Sequence, residues 1–380
     1  MHPDVVVVGA GIIGAACAEA LTAAGVRVTV LDRGPLAGGT SAAGEGNVLV
    51  SDKAPGPELT LAQASIARWP RLLASLAQEL GPALAEVEWD AKGGLVVATS
   101  GASALLEFAA TQREAGVQAD VLTVAEAVAR EPHLSRSIAA AVHYPEDAQL
   151  QPVLAATTLL AAVRRRGGSV RAGVAALGVR AGGVGTSAGF VPCGAVVNAC
   201  GPWAGEFAVA AGAPITVLPR RGLILVTVPM PNTVVHKVYD ADYVGAVGSS
   251  DAELQVSAVV ESTRGGTILI GSSRERVGFD PAIRVSVLRA LARRAIRLFP
   301  MLADVPVMRA YGGFRPYAPD HLPVIGQDPR LPNLWHATGH EGAGIGLAAA
   351  TGQLLADLYV GRSPVVDPEP FRVNRPAVMA

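Results

Sequence analysis

The stretch Asp4-Val5-Val6-Val7-Val8-Gly9-Ala10-Gly11-Ile12-Ile13-Gly14, continuing to Val28-Thr29-Val30-Leu31-Asp32, sets the architecture of this chain. Val5 to Val8 is a short apolar run that reads as a buried strand. It breaks into a Gly-x-Gly-x-x-Gly turn. The turn opens a helix with Ile13, Ala16, Cys17, Ala20 and Leu21 at helical spacing. A second strand, from Val26 to Leu31, ends on Asp32. Each part has a physical task in holding a dinucleotide. Gly9 makes the tight turn, Gly11 lets a pyrophosphate approach the backbone, and Gly14 lets the helix pack on the strand. The helix N-terminus offers free N–H groups and a partial positive charge. Asp32 stands where a carboxylate accepts the hydroxyls of the adenosine ribose. The unit fits FAD or a nicotinamide nucleotide.

Beyond this unit, the bulk properties narrow the class. A chain of 380 residues, half of them apolar, buries a large core and is expected to form two domains. No apolar run approaches the ~20 residues that span a bilayer. Only Met1-His2-Pro3 precedes the first strand, so no signal peptide and a cytoplasmic location are expected. A net charge of −1 speaks against nucleic-acid binding. The run Arg164-Arg165-Arg166 follows an apolar helical stretch, where cations complement the C-terminal dipole. Cys17, Cys193 and Cys200 make neither an even disulfide set nor a four-cysteine cluster. His336 and His340 are four apart, but Gly339 lies between them and no carboxylate-rich helix surrounds them, so no metal is expected.

The remaining pattern is an α/β chain with an insertion. The segment Gly34 to Asn47 is rich in Gly, Ser and Thr, which suits close approach of backbone to a large ligand. Helices are read over Pro57 to Leu80, Ser103 to Ala115, Val124 to Arg130 and Pro152 to Arg166. Trp89-Asp90, Leu95 to Ala98 and Val142 to Tyr144 read as short strands. The buried strand Ala195 to Asn198 runs into Ala199-Cys200-Gly201-Pro202-Trp203-Ala204, a second strand–glycine–helix junction. From Ile215 to Gly271 several alternating runs suggest a mostly antiparallel sheet. An amphipathic helix with five arginines on its outer face is read from Asp280-Pro281 onward. Tyr311 to Pro316, the strand at Leu334 to Ala337 and the loop Thr338 to Gly344 return to the style of the nucleotide domain.

Four separated motifs now carry a family resemblance over nearly the whole length. They are Gly9 to Gly14 with Asp32, Gly39-Thr40-Ser41, Val197 to Ala204, and Gly-x-Arg-Pro at 313–316 followed by Gly339-His340-Glu341-Gly342-x-Gly344. In this the chain resembles the D-amino-acid oxidase-like (DAO) family of FAD-dependent amine and amino-acid oxidoreductases. Cys200 stands where alanine is usual. The loop texture of Gly44 to Pro57 and of Gly339 to Gly344 is most similar to the catalytic subunits of D-hydroxyproline dehydrogenase, opine oxidase and hydrogen cyanide synthase.

The resemblance implies a Rossmann-type FAD-binding domain made of residues 1–85, 146–214 and 312–380. It implies a substrate-binding α+β domain on a mostly antiparallel sheet, made of 86–145 and 215–311. It further implies oxidation of a D-amino acid or cyclic imino acid such as D-hydroxyproline or D-proline, by hydride transfer from the α carbon to flavin N5. Opine, glycine or sarcosine oxidation and a non-catalytic flavin-binding subunit are the alternatives. The implied FAD-contacting set is Gly9, Gly11, Ile12, Ile13, Gly14, Asp32, Arg33, Gly39, Thr40, Ser41, Gly46, Asn47, Val174, Ala199, Gly201, Trp203, Gly313, Glu341, Gly342, Ala343, Gly344 and Ile345. No histidine or cysteine stands at a recognised flavin-linkage position, so FAD is expected to be held non-covalently. Partner subunits carrying other redox centres are implied as well.

Oxidation at Cα needs a carboxylate anchor and an oriented amine, while the flavin carries the redox chemistry. Arg315, in Gly-x-Arg-Pro, is the candidate anchor through two parallel hydrogen bonds; the competing reading is an ion pair with Asp320. Gly342-Ala343-Gly344 is placed to aim N–H groups at charge developing on the flavin. Tyr243, with Tyr239 and Tyr317, is a candidate pocket wall or lid, and His340 a candidate contact to ring or amine. Direct hydride transfer asks for no strong general base. The chain's three lysines, Lys53, Lys92 and Lys237, all lie outside the C-terminal flavin segments, which leans towards a dehydrogenase over an oxidase.

Overall fold

A computed structural model describes residues 2–379. The N-terminal motif sits at the centre of a six-stranded sheet. Its strands run in the order Val324–Gln327, Leu334–Thr338, Ala195–Asn198, Val5–Val8, Val28–Asp32, Ser169–Ala172. All neighbours are parallel except the first pair. Side chains alternate across a strand, so each strand serves two cores. Val5, Val7, Val30 and Val197 face the helices Ile12–Ala23, Pro57–Leu80, Pro152–Arg165 and Gly344–Val360. Val6, Val8, Leu31 and Val196 face the other way, towards a layer that includes the three-stranded sheet of Ala176–Arg180, Gly183–Thr186 and Gly189–Pro192.

Two glycines explain how tightly the centre closes. Gly14 has room for hydrogen only, because a Cβ there would stand 1.9 Å from the Gly9 carbonyl oxygen. Gly9 itself has φ +109°, and its Cβ would lie 2.3 Å from the Ala199 carbonyl oxygen.

The second sheet has eight strands, in the order Val307–Tyr317, Leu218–Pro229, Thr267–Arg274, Gln255–Ser262, Lys237–Asp240, Gly94–Ala98, Ala140–Tyr144, Asp120–Leu122. Only the pairing of Lys237–Asp240 with Gly94–Ala98 is parallel. One face buries Leu223, Leu225, Val260 and Ile268 under Leu291, Ala295 and Leu298 of the helix Val285–Leu298. The opposite face carries Gly222, Ile224 and Arg315 towards the first domain. That basic helix starts at Val285, later than the expected Asp280-Pro281. Asp280 instead accepts from Arg221 at 2.8 Å and so holds the approach in an extended form. Trp89-Asp90 is no strand; Asp90 makes a single bridge to Gln149. A division at 311/312 falls inside the strand Val307–Tyr317, which pairs with Leu218–Pro229 along its length.

Candidate active site

The motif places the start of Ile12–Ala23 at the carboxyl ends of the parallel strands, where ligands of open α/β sheets bind. Four N–H groups at such a helix start have no intrahelical partner. One of them, on Ile12, donates to Ser41 Oγ at 2.9 Å, which pins the Gly/Ser/Thr loop over the helix. The Asp32 carboxylate accepts from the N–H of Ala10 and of Gly34, both at 2.8 Å. Its rotamer is thereby fixed at the end of the strand, with lone pairs to spare for hydroxyl donors. Arg33 lies over the Trp203 ring, 4.5 Å from its centroid, and Trp203 stacks on Phe279 at 5.2 Å.

These groups border a cavity of about 580 Å³ whose lining runs from Leu31–Pro35 past Gly9–Ile13 to Arg315 and Gly342. Of the expected residues, Gly9, Gly11, Ile12, Ile13, Asp32, Arg33, Gly39, Thr40, Ser41, Asn47, Ala199, Gly201, Trp203, Gly313, Arg315, His340, Glu341, Gly342, Gly344 and Ile345 lie on it. The rest do not. Gly14 is spent on packing. Gly46, at φ +99°, turns against Leu150, whose carbonyl oxygen would be 2.0 Å from a Cβ. Val174 donates its N–H to the Asp32 carbonyl at 2.8 Å and leaves the lining to Ala175, Ala176 and Leu177. Ala343 closes a turn by donating to the His340 carbonyl at 2.9 Å. Tyr243 sits outside the cavity, buried against Tyr239 at 5.0 Å and under the Arg274 guanidinium. It belongs to the short helix Asp242–Val247, which packs it into the core.

At the far end of the cavity, Arg315 comes from Val307–Tyr317 and lies over Gly222, whose absent Cβ would be 2.2 Å from Nη1. Nη1 donates to the Ser273 carbonyl at 2.9 Å and Nη2 to Ser272 Oγ at 3.2 Å. A guanidinium has five N–H donors, so three remain. Asp320 does not claim them, because it pairs with Arg375 at 2.7 Å. Burial, and then the nearby Arg274 charge, push the Arg315 pKa down to about 10, which leaves it cationic at neutral pH. Arg315 still keeps accessible surface, and that surface is cavity wall.

His340 is buried, with Nε2 3.0 Å from Thr351 Oγ1 and Nδ1 without a protein partner. Burial pushes its pKa down to about 3, so the ring is neutral. Glu341 sits at φ +45°; its carboxylate pairs with Arg220 at 3.2 Å and with His321 at 2.8 Å. What it offers the cavity is its place in the turn before Gly344–Val360. Lysine is not remote from the site. Lys237 is buried and donates to Asn47 Oδ1 in the cavity wall, so the sequence positions of the lysines carry no weight on the electron acceptor.

The cavity also takes in Glu206, Phe207, Gly222 and Ile224, which no motif in the sequence singles out, and Glu45, which the ligand loop Gly34 to Asn47 contains but no motif marks individually. Two of them leave a signal there. Glu45 is an acid between two glycines, and Gly222 is a lone glycine between Arg220-Arg221 and the apolar run from Leu223, inside a strand, which marks close approach. The cradle fits a dinucleotide carrying a third, planar group: a helix start for phosphates, a fixed carboxylate for a ribose, and a glycine-lined end beside a free guanidinium.

Comparison with known proteins agrees. The DAO family, described as FAD dependent oxidoreductase, matches residues 4–358. Glycine oxidase of Pseudomonas aeruginosa is 32% identical over 384 residues, covering 98% of both chains. The hydrogen cyanide synthase subunit HcnC of the same organism is 32% identical over 252 residues, 64% of this chain and 57% of that one. The crystal structure of glycine oxidase from Geobacillus kaustophilus superposes with a TM-score of 0.89 at 27% identity, covering 99% of each chain. The chain therefore belongs to the DAO family of FAD-dependent oxidoreductases.

Proposed function

We propose that this chain oxidises a D-amino acid or cyclic imino acid, of the D-hydroxyproline and D-proline kind, at its α carbon. The observation that carries the reading is Arg315: a cation on the cavity wall, held by Ser272 and Ser273, with three donors unspent. A substrate carboxylate accepting two of them in parallel is fixed in position and angle, which sets Cα for reaction. FAD, when bound without a covalent link, supplies the hydride acceptor at N5. The positive end of Gly344–Val360 favours the negative charge that accompanies reduction. Neutral His340 adds no competing charge beside the amine. In this reading 1–85, 146–214 and the residues after the strand Val307–Tyr317 serve FAD, while 86–145 and 215–317 serve the substrate, because that strand pairs with Leu218–Pro229 along its length. The cavity then lies at the seam, with the FAD cradle on one side and Gly222, Ile224 and Arg315 on the other sheet.

A second reading, glycine itself as substrate, is favoured by the identity to glycine oxidase along the full chain. Partner subunits that accept the electrons are favoured by the likeness to HcnC, which is named as a subunit of a synthase. Anaerobic titration of the purified holoenzyme, followed by its visible spectrum, separates these readings. Bleaching by D-proline or D-hydroxyproline supports the first, and bleaching by glycine alone supports the second. A yellow protein that no amino acid, sarcosine or opine reduces overturns both. Among the described residues no helix is long and apolar enough to cross a membrane.

A further inference from the structure

We propose that Glu45 receives the amino group of the substrate and takes its proton before the α C–H bond breaks. The inference rests on the reading above, in which an amino or imino acid enters with its carboxylate on Arg315. Glu45 lines the same cavity as Arg315 and is 8% exposed. Its Oε2 accepts from Asn47 Nδ2 at 3.2 Å, while Oε1 is buried with no partner. A buried carboxylate oxygen without a donor is costly, and native proteins rarely leave one. Space for it is built in, because a Cβ on Gly271 would stand 2.3 Å from Oε1. Arg315 feels the Glu45 charge through space, while its own hydrogen bonds go to Ser272 and Ser273. The cavity thus presents one unpaired cation and one half-paired anion, the complement of a zwitterion.

The groups around Glu45 favour an incoming cation. Lys237, Glu261, Tyr311 and Arg315 face it from three strands. Lys237 pairs with Glu261 at 3.4 Å and donates to Asn47, so its ammonium is spent on Glu261 and on the amide that in turn donates to Glu45. Beyond them Lys92 is matched by Asp90 at 3.4 Å. Glu261 is pushed up to about 7, by burial first, with the Glu45 charge adding to it. Glu45 therefore has no ion-pair partner of its own within the protein, and a substrate ammonium could fill that place.

The step balances. A substrate R–CH(NH₃⁺)–COO⁻ gives one N–H proton to Glu45, whose carboxylate becomes the neutral acid. The N–H electron pair stays on nitrogen. It then forms the C=N bond as the α hydrogen leaves with its two electrons for FAD. The product is R–C(=NH₂⁺)–COO⁻.

The test uses the FAD-loaded enzyme and two probes that lack an α hydrogen to give, or lack the amine. These are α-aminoisobutyrate and isobutyrate, with binding followed by perturbation of the flavin spectrum and by calorimetry. Wild type is expected to prefer α-aminoisobutyrate. Glu45→Gln is expected to bind isobutyrate as wild type does and to lose about 10- to 100-fold for α-aminoisobutyrate at pH 7. That affinity should recover about tenfold per pH unit until the probe's own amine pKa, because the amine must then enter neutral. Glu45→Asp should recover part of the loss and guards against a variant that does not fold. No preference for the amine in wild type, equal loss of both probes in Glu45→Gln, or an unchanged pH profile each overturns the proposal. If Arg315→Met leaves isobutyrate binding intact, the carboxylate anchor fails instead, and that result is distinct from a failure at Glu45.

Discussion

The two ends of the cavity are built by opposite means. The nucleotide end is made of neighbours in sequence: the segment from Asp4 to Asp32 supplies the strand, the turn, the helix start and the carboxylate. The substrate end is made of strangers. Arg315, Gly222, Ser272 and Glu45 come from three strands and a loop, and meet only because the sheets bring them together. A site built from backbone breaks through shape, and a site built from side chains breaks through charge. Substitutions at either end should therefore fail in different ways, with the damage shrinking from backbone to side chain to a single proton.

Gly14→Val should be the most damaging change. Its Cβ would meet the Gly9 carbonyl oxygen at 1.9 Å, backbone against backbone, with nothing flexible to yield. The expected outcome is loss of bound FAD together with a large fall in melting temperature, read by flavin absorbance and thermal unfolding. A stable yellow variant would show that the helix start is not what holds the nucleotide.

Arg315→Leu should act at the other end alone. Flavin content and melting temperature are expected to stay near wild type, while the rate of flavin reduction by substrate falls about 10²- to 10³-fold. Such a fall corresponds to about 3–4 kcal/mol, within the range for removing one partner of a buried ion pair. Stopped-flow reduction under nitrogen measures it, and a rate within about threefold of wild type would sink the anchor role.

Asp32→Ala should fall between the two regions in kind. It removes an acceptor for the N–H groups of Ala10 and Gly34 along with the ribose contact. FAD affinity is expected to drop about tenfold or more, at about 1.5–3 kcal/mol for a hydrogen bond to a charged group. Flavin release on dilution reads it, and the rate with saturating FAD should be unchanged.

The mildest change is one of pH. His340 has its folded pKa depressed to about 3 by burial, below the ordinary value of 6.5. Between those values the unfolded chain binds a proton that the folded chain refuses. Stability from this group is therefore full above pH 6.5 and is lost as pH falls towards 3, by about 1.4 kcal/mol per unit at most. His340→Gln should flatten that slope in denaturant unfolding compared across about two pH units below neutrality. An identical slope would mean that the buried imidazole is not the group responsible.

Sequence is most legible where neighbours in the chain do the work. The helix Pro57–Leu80 has the bounds its apolar stripe and flanking Pro57 suggest, and Ala195–Asn198 is the buried strand its composition suggests. It is least legible where contacts are distant along the chain. Tyr243 looks like a pocket residue in one dimension, yet its helix turns it onto Tyr239 and away from the cavity. Gly46 looks like part of a ligand loop, yet Leu150 occupies the space beside it. Glu45, one residue earlier, is the side chain that reaches the cavity.

The dinucleotide half of the site is thus written in chain order alone. A glycine triplet, a helix start and an acid at fixed spacing act through local backbone geometry, and local geometry follows from local sequence. Which charges share one dry space is a matter of packing. Whether Arg315 meets Asp320 or a ligand depends on Arg375 taking Asp320 from 55 residues away. Whether Glu45 is idle or chemical depends on Gly271 leaving room and on Lys237 standing behind Asn47. Electrostatics acts through space rather than along the chain, so pairing across sheets settles a charge that the sequence leaves open.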